Sequence, residues 1–88
     1  MDVPTGWTVA GKTLQRTFPT GTFHDGVSFV VAIGQVADAA DHHPDILLTY
    51  PTVAVTLMSH DVGRVTDRDL HLAGQISRLW EERSDPAT

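Results

Sequence analysis

The chain has no cysteine among its 88 residues. That excludes disulfides, thiol nucleophiles and thiolate metal sites, and leaves the redox compartment open. Positive charge is scarce: six Lys plus Arg stand against eleven Asp plus Glu, for a formal net charge of −5. Nucleic acid is usually met by a basic patch or stripe, so direct nucleic-acid binding is not expected. No apolar run approaches the ~18 residues that would span a bilayer, so no membrane association is expected. Met1 to Gly6 carries no basic stretch followed by an apolar one. No secretory leader is read there, and a cytoplasmic location is expected. Glycine-rich phosphate loops are missing, as are the H-x-x-x-H and H-E-x-x-H spacings of helical metal sites.

What is present is an ordinary globular composition, 41% apolar, in a chain whose length suits one domain over 1–88. So small a domain buries a modest core, and many such chains gain stability by self-association. Trp7 to Phe18 reads as a hairpin turning at Ala10-Gly11-Lys12, with Leu14, Arg16 and Phe18 on one face. Thr22-x-x-Asp25 has the form of a helix start. Phe23, Val27, Val30, Gly34 and Ala37 then suggest the apolar stripe of a helix reaching about Asp41, which Pro44 forbids from continuing. Ile46–Tyr50 and Val53–Met58 read as strands around a Pro51-Thr52 turn, and Ser59–Arg64 as a loop. A second helix starts at Thr66-x-x-Asp69 and carries Leu70, Ala73, Ile76 and Trp80 along one side. The polar tail from Glu81 to Thr88 is expected to fray. The order ββαββα, with short strand connections, predicts an α+β two-layer sandwich: a four-stranded antiparallel sheet with helices on one face.

Histidine is the informative residue, at positions 24, 42, 43, 60 and 71. His24 and His71 fall inside helices and read as solvated. His42 and His43 close the first helix, and His60 ends the best strand, where functional groups commonly sit on a rigid scaffold. Asp38 precedes His42 by four residues, so the two are expected to share a helix face and touch. Spacing alone leaves two readings open for the pair. It could cap the helix C-terminus, since imidazolium interacts well with free carbonyls, or it could do acid/base chemistry, since imidazoles titrate near neutrality. Asp69 is explained without function by its capping-box position. Three histidines with Asp38 or Asp61 could in principle hold zinc, but adjacent rings seldom converge on one ion.

One family pattern runs through most of the chain. It comprises Gly6-Trp7 and Phe23 to Phe29, then Ala37-Asp38-Ala39-Ala40-Asp41-His42-His43-Pro44-Asp45-Ile46 and Tyr50. It continues through Val53-Ala54-Val55-Thr56-Leu57-Met58-Ser59-His60-Asp61, Gly63, Thr66-Asp67-Arg68-Asp69 and Leu72-Ala73. This set resembles pterin-4a-carbinolamine dehydratases. The resemblance implies a ββαββα fold that forms homodimers or homotetramers and needs no metal or organic cofactor. It implies a pterin substrate: 4a-hydroxytetrahydrobiopterin, or a related 4a-hydroxytetrahydropterin, dehydrated to quinonoid dihydropterin. It also implies an alternative, a non-catalytic dimerisation or assembly factor on the same fold.

By resemblance, His42 and His60 are acid/base groups near the leaving hydroxyl, and His43 positions the pterin and assists proton removal. Asp38 and Asp69 support the histidines, while Pro44, Ser59 and Asp61 line the ring, partly through backbone groups. Three features depart from the pattern. Asp38 stands where glutamate is usual, Met58-Ser59 replaces a more polar pair that usually contains threonine, and only Met1 to Thr5 precede Gly6-Trp7.

Overall fold

The computed structural model describes residues 2–83. Its elements follow the expected order: β1 (Thr8–Ala10), β2 (Thr13–Pro19), α1 (Phe23–Ala40), β3 (Asp45–Thr49), β4 (Thr52–Leu57) and α2 (Asp67–Arg83). The strands form one antiparallel sheet in the order β1-β2-β4-β3, packed beneath the two helices as an α+β two-layer sandwich. The β1–β2 and β3–β4 connections are tight turns, at Gly11-Lys12 and at Tyr50-Pro51, where the peptide bond is cis. β4 is therefore a central strand. It pairs with β2 from Leu57↔Leu14 to Thr52↔Pro19, and with β3 from Thr56↔Asp45 to Thr52↔Thr49.

Alternation decides which face is covered. Leu14, Phe18, Val53, Val55 and Leu57 point inward and are buried, while Gln15, Thr17 and Leu47 lie on the open face. Over the sheet, α1 contributes Phe29, Ile33 and Ala37, and α2 contributes Leu72, Ala73 and Ile76. Phe18 sits at the centre of an aromatic cluster, with ring centroids 6.0 Å from Trp7, 4.9 Å from Phe29 and 5.3 Å from Trp80. Such edge-on pairs add to the area they bury.

The buried face of α1 differs from the expected stripe. It comprises Gly26, Phe29, Ile33 and Ala37, whereas Phe23, Val27 and Gly34 are exposed. The helix carries apolar residues on more than one side, so its periodicity admits two registers and packing chooses between them. Gly26 explains part of the choice. A Cβ there would fall 2.7 Å from Cδ1 of Leu48 and 3.2 Å from Oγ1 of Thr20, so the missing side chain lets the helix approach the sheet. α2 also runs further than expected: residues 81–83 are helical, and the rest of the tail read as frayed lies outside the described residues.

The start of the chain is fastened to α2 through one hydroxyl. Oγ of Ser77 accepts from Nε1 of Trp7 at 2.8 Å and from Nη1 of Arg16 at 3.0 Å. The Arg16 guanidinium also lies over the Phe18 ring, 4.5 Å from its centroid.

Candidate active site

The end of α1, the loop after β4 and the first turn of α2 meet at one edge of the molecule. Each is placed by local chemistry. At the end of α1, Asp41 takes a left-handed conformation with φ 51° and ψ 42°. Its N–H bonds the Asp38 carbonyl and the His42 N–H bonds the Ala37 carbonyl, both at 3.1 Å. These two bonds are the Schellman closure of a helix. After β4, the Ser59 carbonyl accepts the N–H groups of Val62 and Gly63 at 3.2 and 2.8 Å, and Gly63 adopts φ +66°. This tight turn presents His60 and Asp61 to solvent. At α2, Oδ2 of Asp69 accepts the Thr66 amide at 2.8 Å, which is the side-chain arm of a capping box.

The left-handed residue changes the histidine pairing. Once Asp41 redirects the chain, His42 no longer continues the helical register that would stack it on Asp38. Nε2 of His42 instead lies 2.5 Å from Oδ1 of Asp69, and Nε2 of His43 lies 3.0 Å from Oδ1 of Asp38. The two pairs differ in setting. Asp69 is 0% exposed and its partner His42 is mostly covered, whereas the His43 and Asp38 side chains are 60% and 82% exposed. Asp69 is thus both a capping residue and the seat of a histidine. Burial by itself would raise its carboxyl pKa. Hydrogen bonds from His42, the Thr66 amide and Ser59, with attraction to the His42 ring when it is protonated, outweigh that and hold it below the ordinary aspartate value.

A cleft of about 350 Å³ is lined by Asp41, His42, His43, His60, Asp61 and Arg68, a volume at the small end of ligand pockets. It brings His42, His43, His60 and Asp61 together. Asp61 accepts from Nη2 of Arg68 at 2.6 Å, and that bond holds its carboxyl below the usual value. Asp38 stands behind His43 rather than in the cleft wall. Pro44 is half-buried at the entry to β3 and is not among the lining residues. Ser59 departs furthest from expectation: its side chain is fully buried, with Oγ 2.8 Å from Oδ2 of Asp69 and 2.6 Å from Oγ1 of Thr66. A hydroxyl turned into this network leaves the backbone of Ser59 as the part that could meet a ring in the cleft.

The sequence reading assigns no site role to Asp41, Thr66 or Arg68. The signal for Thr66 was its T-x-x-D spacing, which also announces the amide that Asp69 caps. No spacing announces that Asp41 and Arg68 share a wall, because the cleft joins segments distant in sequence. Among the described residues, no group of three or more His, Cys, Asp or Glu side chains is arranged to hold a metal ion. A second groove of about 360 Å³ lies between the helices, lined by Ser28, Phe29, Ala32, Leu79, Glu82 and Arg83. It contains no histidine, so the acid/base groups belong to the first cleft.

Comparison with known proteins identifies the family. The family model described as pterin 4 alpha carbinolamine dehydratase matches residues 1–79. A Roseiflexus castenholzii protein named "Putative pterin-4-alpha-carbinolamine dehydratase" is 40% identical over 75 residues, which is 85% of this chain and 81% of that protein. A Sulfurisphaera tokodaii protein of the same name is 38% identical over 74 residues, 84% of this chain and 80% of its own. Among solved structures, a transcriptional coactivator/pterin dehydratase from Brucella melitensis superposes with a TM-score of 0.79 at 30% identity, covering 85% of this chain and 82% of that one. A pterin dehydratase-like RuBisCO assembly factor of the alpha-carboxysome superposes with a TM-score of 0.71 at 21% identity, covering 84% and 88%; that likeness is one of fold alone. By the family model and by the identity of these relatives, the chain belongs to the pterin-4-alpha-carbinolamine dehydratase family.

Proposed function

We propose that the protein dehydrates 4a-hydroxytetrahydrobiopterin, or a closely related 4a-hydroxytetrahydropterin, to quinonoid dihydropterin and water. The observation that supports this most is the convergence of His42, His43 and His60 on one small cleft, with His42 seated on a buried carboxylate. The reaction breaks the C4a–O bond. The oxygen needs a proton to leave as water, and N5 must lose one as the C4a=N5 double bond forms. Groups that exchange protons near neutrality serve both transfers, and positioned general acids and bases typically contribute ~10²–10⁴-fold. In this reading His42 and His60 carry the proton transfers, and His43, steadied by Asp38, positions the ring and assists removal of the N5 proton. Asp61 and its partner Arg68 supply polar contacts at the rim. The enzyme works in the cytoplasm as a homodimer or homotetramer, an arrangement that would cover the exposed apolar side of α1.

The test is the decay of an enzymatically generated 4a-hydroxytetrahydropterin, followed by stopped flow. The protein should accelerate decay well beyond buffer, and His42→Ala, His43→Ala and His60→Ala should each remove a large part of it, on the order of 10²-fold or more. Folded protein that leaves the decay unchanged would overturn the reading and favour a non-catalytic assembly factor.

A further inference from the structure

Behind His42 lies a chain of two hydroxyls, Ser59 buried and Thr66 partly so, that the dehydration does not by itself require. Oγ1 of Thr66 is 2.6 Å from Oγ of Ser59, Oγ of Ser59 is 2.8 Å from Oδ2 of Asp69, and Oδ1 of Asp69 is 2.5 Å from Nε2 of His42. With the Asp69 carboxyl held ionised by its donors, the proton count along this chain has one solution. The Thr66 amide can only donate, and it points at Oδ2 of Asp69 from 2.8 Å. Were Ser59 to give its single proton to Thr66, two acceptor oxygens, those of Ser59 and Asp69, would face each other at 2.8 Å in a buried site, an arrangement that burial makes costly. Thr66 therefore donates to Ser59, and Ser59 donates to Asp69. Oδ2 then has two donors, and a carboxylate, which accepts only, remains to face the ring of His42 through Oδ1. The ring nitrogen that meets it must carry a proton. Nδ1 of His42 makes no hydrogen bond among the described residues, and it is not a buried unpaired atom. His43 has no such lock, since its partner Asp38 is exposed and bound to nothing further.

We propose that Ser59 and Thr66 are positioning residues. Through Asp69 they hold His42 as the tautomer protonated on Nε2, which makes Nδ1 the nitrogen that exchanges a proton with the substrate. The last clause rests on the dehydratase reading; the tautomer does not. Neither hydroxyl touches the cleft, and both act through the carboxylate. Threonine at position 59 would offer the same hydroxyl, so either side chain can fill this hydrogen-bonding role.

Long-range ¹H–¹⁵N correlation spectra of the neutral imidazoles read the tautomer directly. The wild-type protein should show His42 protonated on Nε2. Asp69→Asn keeps the shape but can turn an amide N–H toward the ring, which moves the His42 proton to Nδ1. An equivalent wrong-tautomer substitution in serine proteases lowers kcat about 10⁴-fold, so a loss of that order is expected here, with KM little changed. Ser59→Ala should mix the two tautomers and lower kcat on the order of 10-fold, as loss of an outer partner of a working histidine does at metal sites. Ser59→Thr should restore both. A wild-type spectrum with His42 protonated on Nδ1 would overturn the proposal. So would Ser59→Ala and Asp69→Asn variants, folded by their amide spectra, that retain the Nε2 proton and full kcat. If the wild-type protein shows no dehydratase activity, the functional reading falls, and the spectra still decide the tautomer.

Discussion

Three roles meet at Asp69. It caps α2, accepts from Ser59 and seats His42 from a fully buried position. Its carboxyl is held below the ordinary value of 3.8, so the sign of its pH linkage follows. A carboxyl depressed in the folded state stabilises the fold above its unfolded value, and that contribution is lost as pH falls through its folded value. Removing the charge should therefore cost most near neutrality. Asp69→Asn should lower Tm at neutral pH, and the gap to wild type should narrow on acidification to about pH 3, which thermal melts across pH would read. A gap that widens in acid would contradict the assignment. Asp38 belongs to the opposite regime: exposed ion pairs contribute about 0–1 kcal/mol, so Asp38→Ala should leave Tm nearly unchanged and reduce turnover only a few-fold, by loosening His43.

At the scale of elements, polar anchoring and backbone conformation set what the sequence could disclose. The helix starts were legible because capping chemistry is local. Oγ1 of Thr22 accepts the Asp25 amide at 3.0 Å, as the T-x-x-D spacing implies. The strands were legible because the alternation of Val53, Val55 and Leu57 has one meaning on a half-buried sheet. The four-residue spacing of Asp38 and His42 does not bring them together because one residue beyond the helix, Asp41, turns left-handed, and no glycine stands there to announce that conformation. The His42–Asp69 pair spans 27 residues, so only the assembled fold reveals it. Two substitutions test the element-level account. A Cβ at Gly74, inside α2, meets nothing within 4 Å, so Gly74→Ala should gain about 0.5–1 kcal/mol of helix stability and raise Tm by several degrees. Ser77→Ala should cost about 1–3 kcal/mol, because it leaves Nε1 of Trp7 and Nη1 of Arg16 without their shared acceptor. Chemical denaturation would measure both.

Across the whole molecule, the core and the exposed apolar side of α1 pull in different directions. The core is small and mostly aliphatic around the aromatic cluster at Phe18, and a domain of this size is stable by only a few kcal/mol. The same helix that closes this core turns Phe23, Val27 and Val31 outward at four-residue spacing, with Phe23 51% and Val31 57% exposed. Three apolar side chains at i, i+4 and i+8 make one continuous stripe rather than scattered exposure, and a contiguous apolar strip marks a contact surface. In the proposed homo-oligomer the matching surface would be the same stripe on a second copy, because a two-fold axis pairs a patch with itself. A glutamate placed in the stripe would then face the same glutamate on the second copy. Val31→Glu should consequently shift the protein toward the 9.6 kDa monomer in light scattering after size exclusion. Gln15→Glu, on the open face of the sheet away from the helices, should leave the mass unchanged. A wild-type protein already monomeric at micromolar concentration, or a Val31→Glu variant that keeps its assembly, would show that the stripe is not the contact. The histidine cleft lies beyond the other end of α1, past Ala40, so loss of assembly through this stripe should lower Tm before it lowers turnover.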